Sequence, residues 1–405
     1  MLSYEQALEI VKRRLAPRQT ELVPLSKSVG RVLAQTIAAD RDFPPFDRSA
    51  MDGFAVRSAD VVEAPTELEV IGEIPAGVWP TGEVGARQTM RIMTGAPLPP
   101  GADAVQMVEN SEPLDDGRRV RLTAAVSRPY QNVCRQGEDT RRGDTVARAG
   151  AFIRPGLVGA LGALGYGAVP VYRRPRVAVW STGDELVEVT ETPKPQQIRD
   201  SNRYMIGAYV EQAGGEVLVS ARIADDPRAL RETLAAAEGA DLWLLSGGVS
   251  MGQYDFVESA LREVGVEIGF HKVRIRPGKP LLFGTRGELL VFGLPGNPVS
   301  SAVMMQLFVA PTLLGLQGAT AIDPLIVPLR CMDELPPCGS RETYLPAIWV
   351  REGAETVVRP VRYNGSGDLL GFSQGSCLIR LAAQSPAVRV GDWVDVWMEP
   401  ASVRG

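Results

Sequence analysis

Four short loops carry the residues whose types and spacing could do chemistry: Ser181-Thr182-Gly183-Asp184-Glu185, Asp225-Asp226, Ser246-Gly247-Gly248-Val249-Ser250 and Gly293-Leu294-Pro295-Gly296-Asn297-Pro298. Small and glycine-rich loops let backbone N–H groups approach an anion at a helix N-terminus, where the dipole also favours negative charge. Carboxylates at Asp184, Glu185, Asp225 and Asp255 would be costly neighbours unless a cation joined them, and hard oxygen ligands beside phosphate suit Mg²⁺. Taken singly, each loop has a plainer reading, with Asp226 and Asn297 as helix caps, a glycine pair as a turn, and Glu185 as a solvated charge. Four such loops converging on one sheet edge favour the phosphate site.

The segment His271-Lys272-Val273-Arg274-Ile275-Arg276-Pro277-Gly278-Lys279-Pro280 puts Lys272, Arg274 and Arg276 on one side of an extended strand, with Lys279 in the turn beyond. Such a row could hold oxyanions, or it could protect an exposed strand edge. His271 reads as structural, because nothing near it in sequence resembles a catalytic triad. Two further peptides, Phe43 to Val56 and Arg91 to Pro97, set polar groups between hydrophobes in proline-constrained loops. A turn explains Gly53 and Gly95, but not readily Asp52 or Thr94.

The elements that must position these residues are legible as patterns. Apolar spacing is helical near the start, with Ala7, Ile10, Val11 and Leu15 on one face, Ser3 and Gln6 placed as a capping box, and a second short helical pattern around 29–37. From about 43 to 146 the text turns to short β-prone runs broken by Gly and Pro (68–74, 90–94, 105–108, 120–126), a β-rich module. A small-residue helix follows at 156–165. Over 174–320 apolar strand runs at 176–180, 217–223, 242–245 and 291–294 alternate with helical patterns at 202–213, from Asp226 to about 237, at about 254–264, and after Asn297 and Pro298. This alternation specifies a doubly wound, mostly parallel α/β sheet. Beyond 321 short strands return (325–329, 357–361, 377–381, 393–397), as in a small β-barrel.

The chain has 405 residues, enough for two to four folding units at about 100–200 residues each. Its 43 Lys and Arg against 48 Asp and Glu leave a net charge of −5, so nothing global draws it to nucleic acid or an anionic membrane. One histidine excludes a multi-histidine metal centre, and Cys134, Cys331, Cys338 and Cys377 form no C-x-x-C pair. The apolar stretch 299–316 is interrupted by Ser300, Ser301, Gln306 and Pro311, which favours a buried helix over a membrane span. With no signal-peptide core visible, a cytoplasmic protein with reduced thiols is expected.

In order along the chain stand PPFDRSAMDGFAV, RIMTGAP, GED, STGDEL, SNR, LSGGVSMGQYD, RPGKP and GLPGNPVS. Through this succession nearly the whole chain resembles the molybdopterin molybdenumtransferases of the MoeA and gephyrin E-domain type. The resemblance implies an elongated helical region (1–42 and 147–173), the β-rich module (43–146), an α/β molybdopterin-binding domain similar to adenylyltransferases (174–320) and a C-terminal β-barrel (321–405). It also implies a homodimer whose active site joins the α/β domain of one protomer to the β-rich module of its partner. The implied substrates are adenylated molybdopterin and molybdate, with Mg²⁺, and the products are molybdenum cofactor and AMP.

Carried onto matching positions, the resemblance gives Asp52, Thr94, Asp139, Glu185, Asp225 and Asp255 as catalytic residues, with Glu185, Asp225 and Asp255 at the metal and nucleotide. Lys272, Arg276, Lys279 and Ser366 fall at anion contacts, Pro295 and Pro298 line the pocket, and Ser246, Gly247 and Gly248 cradle phosphate through backbone N–H groups. Arg276 stands where a lysine is frequent, which keeps the charge and changes the donor geometry. An adenylyltransferase supplying the intermediate and an apo-molybdoenzyme receiving the product are the implied partners. A nucleotide pyrophosphatase or adenylyltransferase could use the same α/β loops, but the MDG, MTGAP and GED peptides outside that domain favour the transferase. A non-catalytic scaffold calls for a linked partner module or linker, and these 405 residues contain neither.

Overall fold

The computed structural model describes the chain except residue 225 and residues 249–255 and 399–405. It divides into two compact units, Met1–Gln35 with Ala149–Gly162 and Tyr166–Gly405, and Thr36–Arg148 with Ala163–Gly165.

The first unit is built on a six-stranded sheet with spatial order Glu216–Ile223, Arg176–Thr182, Leu242–Ser246, Leu289–Leu294, Leu282–Arg286, Glu267–His271. The first four strands pair in parallel; Leu282–Arg286 runs against them and pairs antiparallel on both sides, so that Glu267–His271 again runs in their direction. Residues along each central strand alternate between two cores. Val177, Val179, Leu242, Leu244 and Phe292 face one, with Ile206 and Val210 of the helix Asn202–Gln212 and much of the helical run from Pro298. Ala178, Trp180, Trp243, Leu245 and Val291 face the other, with Leu230 and Leu234 of Pro227–Ala236 and Val257 and Leu261 of Phe256–Glu263. A sheet covered on both faces needs apolar residues at every position, and the runs 177–180 and 242–245 have them. The second helix begins at Asp226, whose side chain accepts from the N–H groups of Arg228 and Ala229.

The helical run Pro298–Leu316 is long and apolar enough to cross a membrane, but 94% of its most apolar window is buried inside this unit. A π-helical turn, Met305–Val309, interrupts it just before Pro311, which has no N–H for the preceding turn. The helix Tyr4–Lys12 joins the same core: its capping box forms, and Tyr4 sets its ring edge against Phe308 and Trp397 with centroids 5.4 and 5.6 Å apart. The helical pattern around 29–37 gives no helix. Gly30 turns the chain with φ +76, and Val32 and Leu33 pair instead with Phe152 and Val171 as isolated bridges. The helix Pro155–Ala163 comes close to the turn at Leu25, since a Cβ on Gly162 would stand 3.6 Å from that side chain.

The C-terminal strands close on themselves in the order Glu342–Glu352, Glu355–Pro360, Ile326–Cys331, Trp393–Met398, Cys377–Leu381 and back to Glu342–Glu352. This is the expected small barrel, filled by residues such as Leu329, Ala347, Val358, Ile379 and Val396. The two-residue strand Ile275–Arg276 adds beside Glu342–Glu352. The expected single basic strand is therefore broken: Lys272 has φ +105 and separates Glu267–His271 from Ile275–Arg276. Val273 and Ile275 still point inward, with Arg274 and Arg276 exposed between and beyond them.

The second unit is the β-rich module. Its sheet runs Ala104–Met107, Gly53–Val56, Gln88–Ile92, Thr66–Ile74, Arg119–Leu122, Ser111–Leu114, with Phe54, Val56, Leu68 and Leu122 in one core and Ala55, Ile74, Ile92 and Val105 in another.

Candidate functional site

Parallel strands end together, and ligands collect beyond their carboxyl ends. Ser181 is paired with Ser246, and Ser246 with Leu294, so the loops after three strands begin at one level. They surround a cavity of about 730 Å³ lined by Thr182, Gly183 and Glu185, by Ser246, Gly247 and Gly248, and by Pro295 to Pro298. Asp200 and Asn202 close one side, and Gly367 and Leu369 from the barrel contribute at another.

The glycines are dictated by close approach. Gly247 has φ +96, and a Cβ there would lie 2.5 Å from the carbonyl oxygen of Thr182; Gly248 has φ +64, and its Cβ would lie 2.6 Å from Val257. The amide of Gly247 does not face the cavity as expected, because it donates to Leu294 O at 3.2 Å and extends the strand pairing.

Beneath the cavity wall lies a buried polar cluster. Asp200, 1% exposed, accepts from the Ser181 hydroxyl and from Arg203 N and Nε at 3.2 and 3.1 Å, and Arg203 reaches on to Glu188 at 2.7 Å. Asn202 Nδ2 donates to Ser246 Oγ at 2.8 Å and to Gly296 O at 2.7 Å, tying the helix start to two loops. Asn297 occupies the N-cap position expected of it, yet its side chain caps nothing and donates instead to Ser366 Oγ at 2.9 Å. Ser366 also accepts, through its carbonyl, from Val299 N at 3.1 Å, which fixes that barrel loop at the rim.

Of the expected residues, Glu185, Ser246, Gly247, Gly248, Pro295 and Pro298 line one cavity, and Ser366 is bonded to its rim. Lys279 adjoins the lining residue Pro280, while Lys272 and Arg276 are not in the lining. Asp225 and Asp255 lie outside the described residues. Among the described residues no group of three His, Cys, Asp or Glu side chains is placed to hold a metal. His271 is held by Glu258 at 2.9 Å from Nδ1, and Arg262 binds the same carboxylate. Asp200 and Asn202 were not singled out by sequence reasoning, and Thr182 entered it only as part of its loop. The signal for the first two was the polar run from Asp200 to Arg203 opening a helix, of which only Ser201 to Arg203 was read, as a family motif.

Asp52, Thr94 and Asp139 belong to the second unit. Gly53 lets the strand approach so closely that a Cβ would stand 2.0 Å from Gln106 O. Just before it, Asp52 Oδ1 accepts from Thr94 N at 2.7 Å and Thr94 Oγ1 at 2.9 Å. These two bonds, the backbone one first, hold the Asp52 carboxyl below the usual aspartate range. Thr94→Val removes the second donor only, so the Asp52 midpoint in an NMR titration is expected to rise partway toward the ordinary value; an unchanged midpoint would refute that assignment. Asp139 is exposed, with its amide donating to Phe43 O at 3.0 Å.

Residues 2–165 match the MoeA N-terminal region (domain I and II), 178–315 the probable molybdopterin binding domain, and 328–398 the MoeA C-terminal region (domain IV). The molybdopterin molybdenumtransferase of Nostoc sp. is 38% identical over 91% of this chain and 86% of its own length; that of Haemophilus influenzae is 35% identical over 98% of each. The crystal structure of the molybdopterin biosynthesis moeA protein from Pyrococcus horikoshii OT3 aligns with TM-score 0.85 at 32% identity, covering 98% of this chain and 100% of that one. The chain belongs to the molybdopterin molybdenumtransferase family and is an enzyme of molybdenum cofactor biosynthesis.

Proposed function

We propose that the chain inserts molybdate into adenylated molybdopterin with release of AMP, in a Mg²⁺-dependent reaction. The observation that carries this reading is the convergence of Glu185, the Ser246-Gly247-Gly248 turn and the Pro295–Pro298 loop on one cavity. Close glycine backbone, a helix start and a carboxylate at one place suit a phosphate ester with its counter-ion.

Glu185 offers an exposed carboxylate at the cavity and, with Asp225 and Asp255, is the donor set for Mg²⁺; hard oxygen donors fit that ion. When bound, the ion neutralises phosphate oxygens of the nucleotide. Lys279, with Lys272 and Arg276, supplies fixed positive charge for oxyanions, and Ser366 a hydroxyl held at the rim by Asn297. Pro295 and Pro298 shape the wall. Asp52, Thr94 and Asp139 complete the site from the second protomer of a homodimer, with Thr94 keeping Asp52 ionised and oriented. An adenylyltransferase supplies the intermediate and an apo-molybdoenzyme takes the product, in the cytoplasm.

The metal assignment is tested by Asp225→Ala and Asp255→Ala. Both variants are expected to sediment as the wild type does while losing at least about 100-fold in Mg²⁺-dependent AMP release, because phosphate charge is left unneutralised. Wild-type rates in both would remove these residues from the metal site.

A further inference from the structure

Among the described residues, two buried polar atoms at the cavity have no hydrogen-bond partner. One is Thr182 Oγ1, on a residue 5% exposed; the other is Asn202 Oδ1. Both residues line the cavity.

The orientation of Asn202 follows from its neighbours. Gly296 O is a carbonyl and only accepts, so the group 2.7 Å from it must be the amide nitrogen. Ser246 Oγ gives its own proton to Pro295 O at 3.3 Å and therefore accepts from the same nitrogen. With Nδ2 engaged twice, Oδ1 is left as an acceptor. A buried acceptor without a donor carries a desolvation penalty that burial of apolar neighbours does not repair. Thr182 is in the same position at the end of its strand, where Gly247 and Gly248 keep the space beside its hydroxyl clear: a Cβ on either would lie 2.9 or 3.2 Å from Oγ1. Asn202 Oδ1 only accepts, so its natural complement is an N–H or O–H rather than an ionised phosphate oxygen, and the Thr182 hydroxyl, which both donates and accepts, can take a partner of the same kind.

We propose that the Asn202 carboxamide oxygen and the Thr182 hydroxyl recognise a neutral hydrogen-bond donor of the bound substrate, a pterin N–H or a ribose O–H, and so set the specificity of the cavity. The inference rests on the reading of this cavity as the substrate site. A site whose buried polar groups are satisfied only by ligand rejects analogues that lack the matching group.

The test is calorimetric titration of molybdopterin, AMP and 2′-deoxy- and 3′-deoxy-AMP into wild type, Thr182→Val and Thr182→Ser. Valine keeps the shape and suits a strand, and serine keeps the hydroxyl. Thr182→Val is expected to bind the relevant ligand about tenfold more weakly, the order expected for one neutral hydrogen bond, while the ligand-free protein melts no lower than wild type. Thr182→Ser is expected to restore the affinity. Loss confined to molybdopterin assigns the donor to the pterin; loss for AMP that vanishes for one deoxy-nucleotide assigns it to that ribose hydroxyl. Unchanged affinity for both ligands in Thr182→Val, a change only in the Mg²⁺ requirement, or weaker binding matched by a lower melting temperature and shared by Thr182→Ser would overturn the proposal. Failure of the wild type to bind either ligand would instead overturn the function proposed for the cavity.

Discussion

Asp200→Ala is expected to lower folding stability by about 3 kcal/mol or more, the usual consequence of removing one partner from a buried ion pair. Asp200 is 1% exposed and Arg203 9%, and the carboxylate also accepts from Ser181. Without it, the Arg203 guanidinium keeps Glu188, whose side chain is 42% exposed, the carbonyl of Ser220 at 3.3 Å and the face of the Tyr204 ring, its centroid 5.1 Å away. The backbone amide of Arg203 and the Ser181 hydroxyl lose their acceptor together. Asp200→Asn keeps the shape and one acceptor oxygen, so its loss should be clearly smaller. Equilibrium urea unfolding measures both; a loss under about 1 kcal/mol for the alanine variant would mean that the cluster contributes little. Because Asp200 also lines the cavity, affinity for AMP should fall in parallel.

Gly247→Ala is expected to reduce turnover by about 100-fold or more, since displacements near 1 Å at a reacting site cost that much. The new Cβ would meet Thr182 O at 2.5 Å, a backbone atom of the neighbouring strand, and φ +96 is strained for any residue with a side chain. Either the loop or the end of the central strand must move, and both line the cavity. Gly296→Ala is the control. Its Cβ would stand 3.7 Å from Gly247 Cα, an ordinary contact with no positive φ to strain, so near-normal turnover is expected. Equal losses in the two variants, or none in Gly247→Ala, would show that close approach at this turn is not what shapes the site.

The contrast between those two glycines also marks how far the sequence could be read. Runs such as 177–180 and 242–245 are apolar at every position, and caps such as Ser3 with Gln6 and Asp226 are local, so the α/β domain and its order of elements were legible. The longest barrel strand, Glu342–Glu352, was not: Pro346 interrupts its run, and its pairing with Glu355–Pro360 and Cys377–Leu381 makes it a strand. The pattern at 29–37 failed for a related reason, because its apolar residues are buried by extended pairing with distant segments rather than by a helix face.

For the site, residue types were legible and partners were not. Asp52 and Thr94 stood out as polar groups in constrained loops, but their bond spans 42 residues. The basic segment read as one strand because alternation of Lys272, Arg274 and Arg276 fits a strand, whereas Lys272 turns at φ +105. The serine-glycine loop was recognised as unusual, yet the engagement of the Gly247 amide by Leu294 depends on the strand lying beside it. Thr182 Oγ1 and Asn202 Oδ1 draw their interest from having no hydrogen-bond partner among the described residues, and that becomes visible only after folding.

The proposed reaction couples release of AMP from adenylated molybdopterin to insertion of molybdate. Its most direct test measures AMP release by the purified protein with Mg²⁺, with and without molybdate, together with reconstitution of an apo-molybdoenzyme. Molybdate-dependent release with recovery of enzyme activity is the expected result, whereas AMP release that ignores molybdate and reconstitutes nothing would contradict it and point to a pyrophosphatase.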